Sequence, residues 1–217
     1  MSKKKKIAIL FDKKNDWLIS YINKKTLKGF VKKYDISFHK NPNLVKNFEI
    51  VFVLGFTRIL GVDFLSRNKI CMVIHESNLP KGRGFSPVQW QILANKNTFT
   101  NCLILMNRGI DSGEIVLKNK IVLDGSELYE EIRKKQAKKT IDLVKKFLKT
   151  YPKFKVKKQK GRATYFRKRS KEDSELNINK SIKKQFNLMR IANNEKWPLY
   201  FKYRNKTYFL KINKTKK

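Results

Sequence analysis

The chain has 217 residues, 41% of them hydrophobic, with 52 Lys or Arg against 17 Asp or Glu and a formal net charge of +35. That apolar fraction supports a packed core rather than a disordered chain, and the length suits one medium domain with an appendage. The longest apolar stretch, near Ile50–Phe56, is too short to span a bilayer, so no membrane span is expected.

The N-terminal run Met1-Ser2-Lys3-Lys4-Lys5-Lys6 leads into Ile7–Phe11 without an apolar signal core, so a cytoplasmic location is expected. Ile7–Phe11 reads as a buried strand ended by the polar run Asp12–Asp16. Trp17, Ile19, Tyr21, Ile22, Leu27 and Phe30 follow at loosely helical spacing. Asp35–His39 and Ile50–Leu54 read as strands, Ile59–Leu65 as a short helix and Ile70–His75 as a fourth strand. Pro80 to Pro87, with Gly82 and Gly84, is a loop. Val88–Ala94 reads as a helix opened by Ser86-Pro87, and Thr100–Met106 as a fifth strand. This alternation predicts an α/β fold with a Rossmann-like, mostly parallel sheet over residues 1–150. Ser126–Lys149 has helical spacing, with Ser126 as the expected cap and glutamates in the first turn. Residues 151–217 are expected to form a small extension: a basic irregular stretch, a helix over Ser181–Ala192, and a hairpin of Tyr200–Tyr203 with Thr207–Ile212 around Arg204-Asn205-Lys206.

Charge of this size suggests nucleic acid. However, Lys outnumbers Arg by 42 to 10 and is spread along the whole chain, as codon bias alone would produce. Only Lys153–Arg169, with Phe154, Tyr165 and Phe166 interleaved, looks like a binding element, so a dedicated nucleic-acid function is disfavoured. A small anionic ligand would be drawn in by the same field. Cys71 and Cys102 sit in apolar runs and read as buried thiols; no Cys/His spacing suggests a metal.

His75 ends an apolar strand before a Gly/Pro loop, where open α/β sheets bind ligands. Alone, it reads more readily as a packed histidine. Asp111, in Gly109-Ile110-Asp111-Ser112-Gly113, has the setting of a turn aspartate. Together they can form a hydrogen-bonded pair in which the carboxylate orients the imidazole and favours its protonated form. That chemistry is acyl or proton transfer without a nucleophilic side chain.

The run His75-Glu76-Ser77-Asn78-Leu79-Pro80-Lys81-Gly82-Arg83-Gly84 resembles the His-x-Ser-x-Leu-Pro-x-x-x-Gly signature of folate-dependent formyltransferases. Asp111-Ser112-Gly113 resembles the family's Asp-x-Gly, and Gly55-Phe56-Thr57-Arg58-Ile59-Leu60 its pterin-pocket segment. The resemblance implies N10-formyl-tetrahydrofolate as formyl donor, held by Arg58, Ile59, Leu60, Gly109, Ile110 and Gly113. It further implies transfer to an amine, with His75 as general acid and base and Asp111 positioning it. The family pattern begins Asn-x-His, and that Asn holds the developing oxyanion; here the position is Val73. Ser77, Asn78, a backbone N–H or a water is then expected as the replacement donor. The Gly-rich phosphate loop of the glycinamide-ribonucleotide branch has no counterpart in Asp12–Trp17. Arg167–Leu176, Gln185–Arg190 and Trp197-Pro198 resemble the C-terminal segment of sugar N-formyltransferases, with Ser170-Lys171 where Thr-Pro is usual. The implied acceptor is a nucleotide-linked amino sugar. The alternatives are a methionyl-tRNA-type enzyme and a catalytically impaired homologue. Oligomeric state is not legible.

Overall fold

The computed structural model describes residues 3–12 and 17–215, so Met1, Ser2 and most of the polar run 12–16 lie outside the described residues. The first strand, β1 (Lys5–Phe11), buries its last five side chains. The apolar residues from Trp17 to Phe30 do not make one helix. They give a 3-10 turn at Trp17–Ser20 and then the four-residue α1 (Lys28–Val31). Between the two, the Asn23 N–H donates to Thr26 Oγ1 at 2.9 Å and the Thr26 N–H to Asn23 Oδ1 at 3.0 Å. Short polar side chains thereby take backbone groups that a continuous helix needs.

Next come β2 (Tyr34–His39), β3 (Ile50–Leu54), α2 (Val62–Ser66) and β4 (Cys71–His75). The loop after β4 holds the two-residue β5 (Arg83–Gly84) and leads to α3 (Pro87–Leu93). Pro87 opens that helix as expected, but Ser86 sits at φ 51° and makes no side-chain cap. β6 (Thr98–Leu105) and β7 (Ile115–Val122) follow, then the 22-residue α4 (Tyr129–Thr150). The remainder carries β8 (Tyr165–Phe166), α5 (Ile182–Arg190) and the hairpin β9 (Leu199–Tyr203) with β10 (Lys206–Leu210). Arg204 and Asn205 both take positive φ at its tip, as a two-residue turn matched to strand twist requires.

The six-stranded sheet has the order β2-β1-β3-β4-β6-β7. Pairing is parallel from β2 through β4, and antiparallel from β4 to β6 and from β6 to β7. The fold is therefore α/β with a mostly parallel sheet.

Strand alternation sorts the core into two faces. Ile7, Ile9, Ile50, Phe52 and Ile74 pack with Leu143, Val144, Phe147 and Leu148 of α4. Ala8, Leu10, Val51, Val53 and Cys71 pack with Phe64 of α2, and Val73 joins them there. Each Val, Leu, Ile or Phe among them, fully buried, contributes about 1.5–3 kcal/mol relative to exposure. Both cysteines are buried free thiols, and burial pushes the Cys71 thiol up to about 12.

Ser126 does not cap α4. The helix begins at Tyr129, and the Glu131 carboxylate accepts the Leu128 N–H at 2.9 Å. The preceding turn is organised instead around Glu127, which takes the N–H groups of Asp124 and Gly125 and pairs with Arg190 at 2.9 Å. The Glu127 and Arg190 side chains are only 3% and 1% exposed, and Arg190 also donates to the Glu127 carbonyl and to Asn97. This pair ties α5 to the root of α4.

Glu49 at the start of β3 accepts from the Tyr151 hydroxyl and from Lys69 at 3.0 Å, with Lys5 at 3.2 Å. The Tyr151 hydrogen bond, with help from both lysines, holds its carboxyl at about 2 against an ordinary 4.5. A depressed folded-state value stabilises the fold above pH 4.5, and that contribution is lost as pH falls toward 2. Glu49→Gln is expected to cost about 1–2 kcal/mol in urea unfolding at pH 7. The difference from wild type should vanish near pH 2; a constant difference across that range would remove the role of the charge.

Candidate active site

The alternation that builds the core also builds the site. On β4, Val73 and His75 point to one face and Ile74 to the other; Glu76, just past the strand, reaches Gln136 of α4. His75 is buried at the strand's carboxyl end, and its ring lies between two acceptors. Nε2 meets the Gly82 carbonyl at 2.7 Å, and Nδ1 faces Asp111 Oδ2 at 3.3 Å. A carbonyl only accepts, so Nε2 carries a hydrogen and donates it. Nδ1 is then the nitrogen left to hold or release a proton beside the carboxylate.

Asp111 adopts φ 47°, a conformation Asp tolerates in turns. The same Oδ2 takes the Gly84 N–H at 2.8 Å. Gln159 fixes the loop from behind, donating to the carbonyls of Asp111 at 2.7 Å and Gly113 at 2.8 Å while its Oε1 accepts from Arg83. Gly113 must be glycine, because a Cβ there would run into the Leu105 carbonyl. The loop after β6 can therefore fold back against the sheet and deliver Asp111 to His75.

The pair lines a cavity of about 690 Å³. Arg58, Ile59, Leu60, Gly109, Ile110 and Gly113 line it too, on the face shared by Val73. Thr57, in the same segment, is anchored by its N–H to Asp12 Oδ2 at 2.9 Å. Ile59 and Ile110 are 71% and 43% exposed at the cavity mouth, and Arg58 lies over the Phe56 ring at 5.0 Å. Ser77 and Asn78 are not brought to this cavity. The Ser77 hydroxyl is buried without a partner, and Asn78 Oδ1 takes Lys118 Nζ at 3.1 Å.

A second lobe opens on the α4 side, and sequence reasoning missed most of it. Trp17, Tyr129, Arg133, Gln136, Arg169 and Trp197 line it, drawn from four distant parts of the chain. The Arg133 guanidinium stacks at 4.7 Å over Trp17 and 5.0 Å over Tyr129. Its Nη1 donates to Gln136 Oε1 at 2.8 Å, and Gln136 Nε2 donates to Glu76 Oε1. The Nε–H groups of Arg133 and Arg169 are both buried without a protein partner. Burial, with Arg167 nearby, pulls the Arg169 guanidinium below its ordinary value against the opposing pull of Asp173. Unpaired buried guanidinium donors beside aromatic rings are suited to an anionic, ring-containing ligand.

Among the described residues no group of three or more His, Cys, Asp or Glu is placed to hold a metal ion. No described helix is long and apolar enough to cross a membrane.

A family described as formyl transferase matches residues 39–148 of the chain. A methionyl-tRNA formyltransferase of Rickettsia bellii is 31% identical over 171 residues, covering 76% of this chain and 55% of that protein. The chain thus spans about half the length of the curated relatives it matches. Among solved structures, a methionyl-tRNA formyltransferase from Clostridium thermocellum superposes with a TM-score of 0.83 at 26% identity, covering 98% of this chain and 94% of that one. A sugar N-formyltransferase from Shewanella sp. FDAARGOS_354 shares the fold, with a TM-score of 0.74 at 18% identity over 96% of this chain and 97% of that one.

Proposed function

Because the chain belongs to the formyl transferase family, we propose that it transfers a formyl group from N10-formyl-tetrahydrofolate to the amine of a nucleotide-linked amino sugar. One observation carries the reading: a single cavity holds the His75–Asp111 pair between two lobes of different chemistry. The lobe on the Val73 face has exposed apolar side chains, Ile59 and Ile110, at its mouth. They suit a flat heterocycle, and Arg58 suits the anionic tail of a folate. Bound there, the donor supplies an activated formyl carbon. The lobe on the α4 side, with Arg133, Arg169 and stacked aromatics, suits the phosphates and base of a nucleotide.

In the transfer, the acceptor nitrogen bonds to the formyl carbon and the bond from that carbon to N10 breaks. The amine gives up one proton and N10 receives one, so no oxidant or further reactant is needed. Since Nε2 is committed to Gly82, His75 exchanges that proton at Nδ1, with Asp111 Oδ2 as the neighbour that steadies the charged ring. In this reading residues 1–150 form the catalytic domain. Residues 151–217 form an extension that closes the acceptor lobe through Arg169 and Trp197.

A second reading, an aminoacyl-tRNA acceptor, is favoured by the methionyl-tRNA formyltransferases among the relatives and by the +35 charge. The end of a charged tRNA is also a nucleotide bearing an amine. Label from formyl-labelled donor is expected on at least one member of a panel of nucleotide-linked amino sugars and not on methionyl-tRNA. Label on charged tRNA alone replaces the first reading by the second. Label on neither, with donor bound, overturns both.

A further inference from the structure

We propose that Glu76 recognises the acceptor's amine, receiving it as an ammonium ion beside the reacting centre; this rests on the amine-acceptor reading above and names the residue that selects such an acceptor. In the signature quoted above, the position after the histidine is free, so the resemblance assigns Glu76 nothing.

The placement follows from β4. Ile74 packs in the core shared with α4, whereas Val73 packs against the cluster of Ala8, Leu10, Val51 and Val53 on the opposite side. Continuing the alternation by one step each, His75 faces the donor lobe and Glu76 the acceptor lobe. Two adjacent residues thus reach the reacting centre from its two sides, and both line the same cavity.

The Glu76 side chain is held in position. Its Oε1 accepts from the Gln136 amide, and Gln136 is only 3% exposed. Gln136 is in turn fixed by Arg133 Nη1 at 2.8 Å. The Glu76 carbonyl accepts from Gln91 Nε2 at 2.7 Å, and that amide also donates to the Pro87 carbonyl at 2.9 Å. Oε2 makes no bond among the described residues. A carboxylate clamped at one oxygen on the wall of a cavity is organised for a ligand.

The charge pattern says which ligand group. Among the described residues three carboxylates line the cavity: Glu76, Asp111 and Glu130. Asp111 is committed to His75 and the Gly84 N–H, and Glu130 is an exposed residue in the first turn of α4. The other charged lining residues among those described, histidine aside, are six arginines and lysines. That field draws in the phosphates of an acceptor and repels its ammonium group. One carboxylate next to His75 reverses the preference locally and orients the acceptor amine-first. Before attack the ammonium releases one proton to water; the free amine then gives up the single proton that N10 receives. The formylated nitrogen is uncharged and the ion pair is gone, which favours product release.

The test is calorimetric titration of the wild type and Glu76→Gln with two probes. One is a dTDP-linked aminodeoxy sugar; the other is the same compound with a hydroxyl in place of the amine. Wild type should prefer the amine about tenfold to a hundredfold, the range of a charge-assisted hydrogen bond. Glu76→Gln should lose that preference while keeping the affinity for the hydroxyl compound and for a folate analogue, which also reports that the variant is folded. Glu76→Asp should retain part of the preference. Equal affinities in the wild type, or a preference that survives in Glu76→Gln, overturns the role of Glu76 and leaves formyl transfer standing. Binding of neither probe overturns the sugar reading itself.

Discussion

His75→Ala is expected to slow formyl transfer by about a hundredfold to ten-thousandfold, the usual contribution of a positioned acid–base group. The donor lobe is built by 55–60 and 107–113, not by the imidazole, so affinity for a folate analogue should change little. The loss should therefore fall on the turnover rate rather than on donor binding. Asp111→Asn should cost less. An amide oxygen can still accept the Gly84 N–H that Asp111 Oδ2 now takes at 2.8 Å, so the loop keeps its anchor. What disappears is the negative charge 3.3 Å from Nδ1. Single-turnover transfer with labelled donor, read beside folate-analogue affinity, checks both. Full activity in His75→Ala would mean that the pair holds the loop and does no chemistry. Loss of analogue binding in step with activity would mean that the substitution had collapsed the cavity.

How much of this could be read from the chain alone depended on whether the signal was local. β3 was legible to the residue because Ile50–Leu54 is buried on both faces and reads as an unbroken apolar run. The His75 and Asp111 positions were legible because His75 ends an apolar strand and Asp111 lies in a turn, each within its own short motif. β7 was not anticipated: Ile115–Val122 interleaves Lys118, Asn119 and Lys120 with its apolar residues and runs at the sheet edge. The reversal of β6 was equally hidden, since period-two patterning carries no strand direction. The α1 region failed because Asn23 and Thr26 capture backbone groups in the middle of an apparently helical pattern. The acceptor lobe was invisible for a different reason. Its central contact joins Gln136 to Glu76, 60 positions apart, and its aromatic walls come from Trp17, Tyr129 and Trp197. No spacing rule connects such residues; only the fold of α4 and the C-terminal segment over the end of the sheet does so.

Val73→Asn is expected to raise turnover by about tenfold to a thousandfold, the reverse of what removing one oxyanion donor typically costs. The geometry supports a gain. Val73 lines the cavity, two residues before His75 on the same face of β4, and an aliphatic side chain there can donate nothing to charge developing on the formyl oxygen. Ser77 and Asn78, the nearby polar residues, are directed elsewhere. Val73 also packs against the buried clusters that hold Val53 and Cys102, so the amide gains its place at some cost in stability, about 1 kcal/mol for a partly buried position. Rate and stability are thus expected to move in opposite directions, a signature that general tightening of the fold would not produce. Asn107 supplies the control. Its Oδ1 is held by the Gly109 N–H at 3.0 Å and the Ser112 hydroxyl at 2.7 Å, which leaves its amide nitrogen as a donor on the cavity wall. If Val73→Asn gives no gain while Asn107→Ala alone costs a hundredfold, the oxyanion donor has moved to the loop that carries Asp111. If Val73→Asn gives the gain and Asn107→Ala is neutral, the wild-type site works with that donor missing, and its rate is set by the gap.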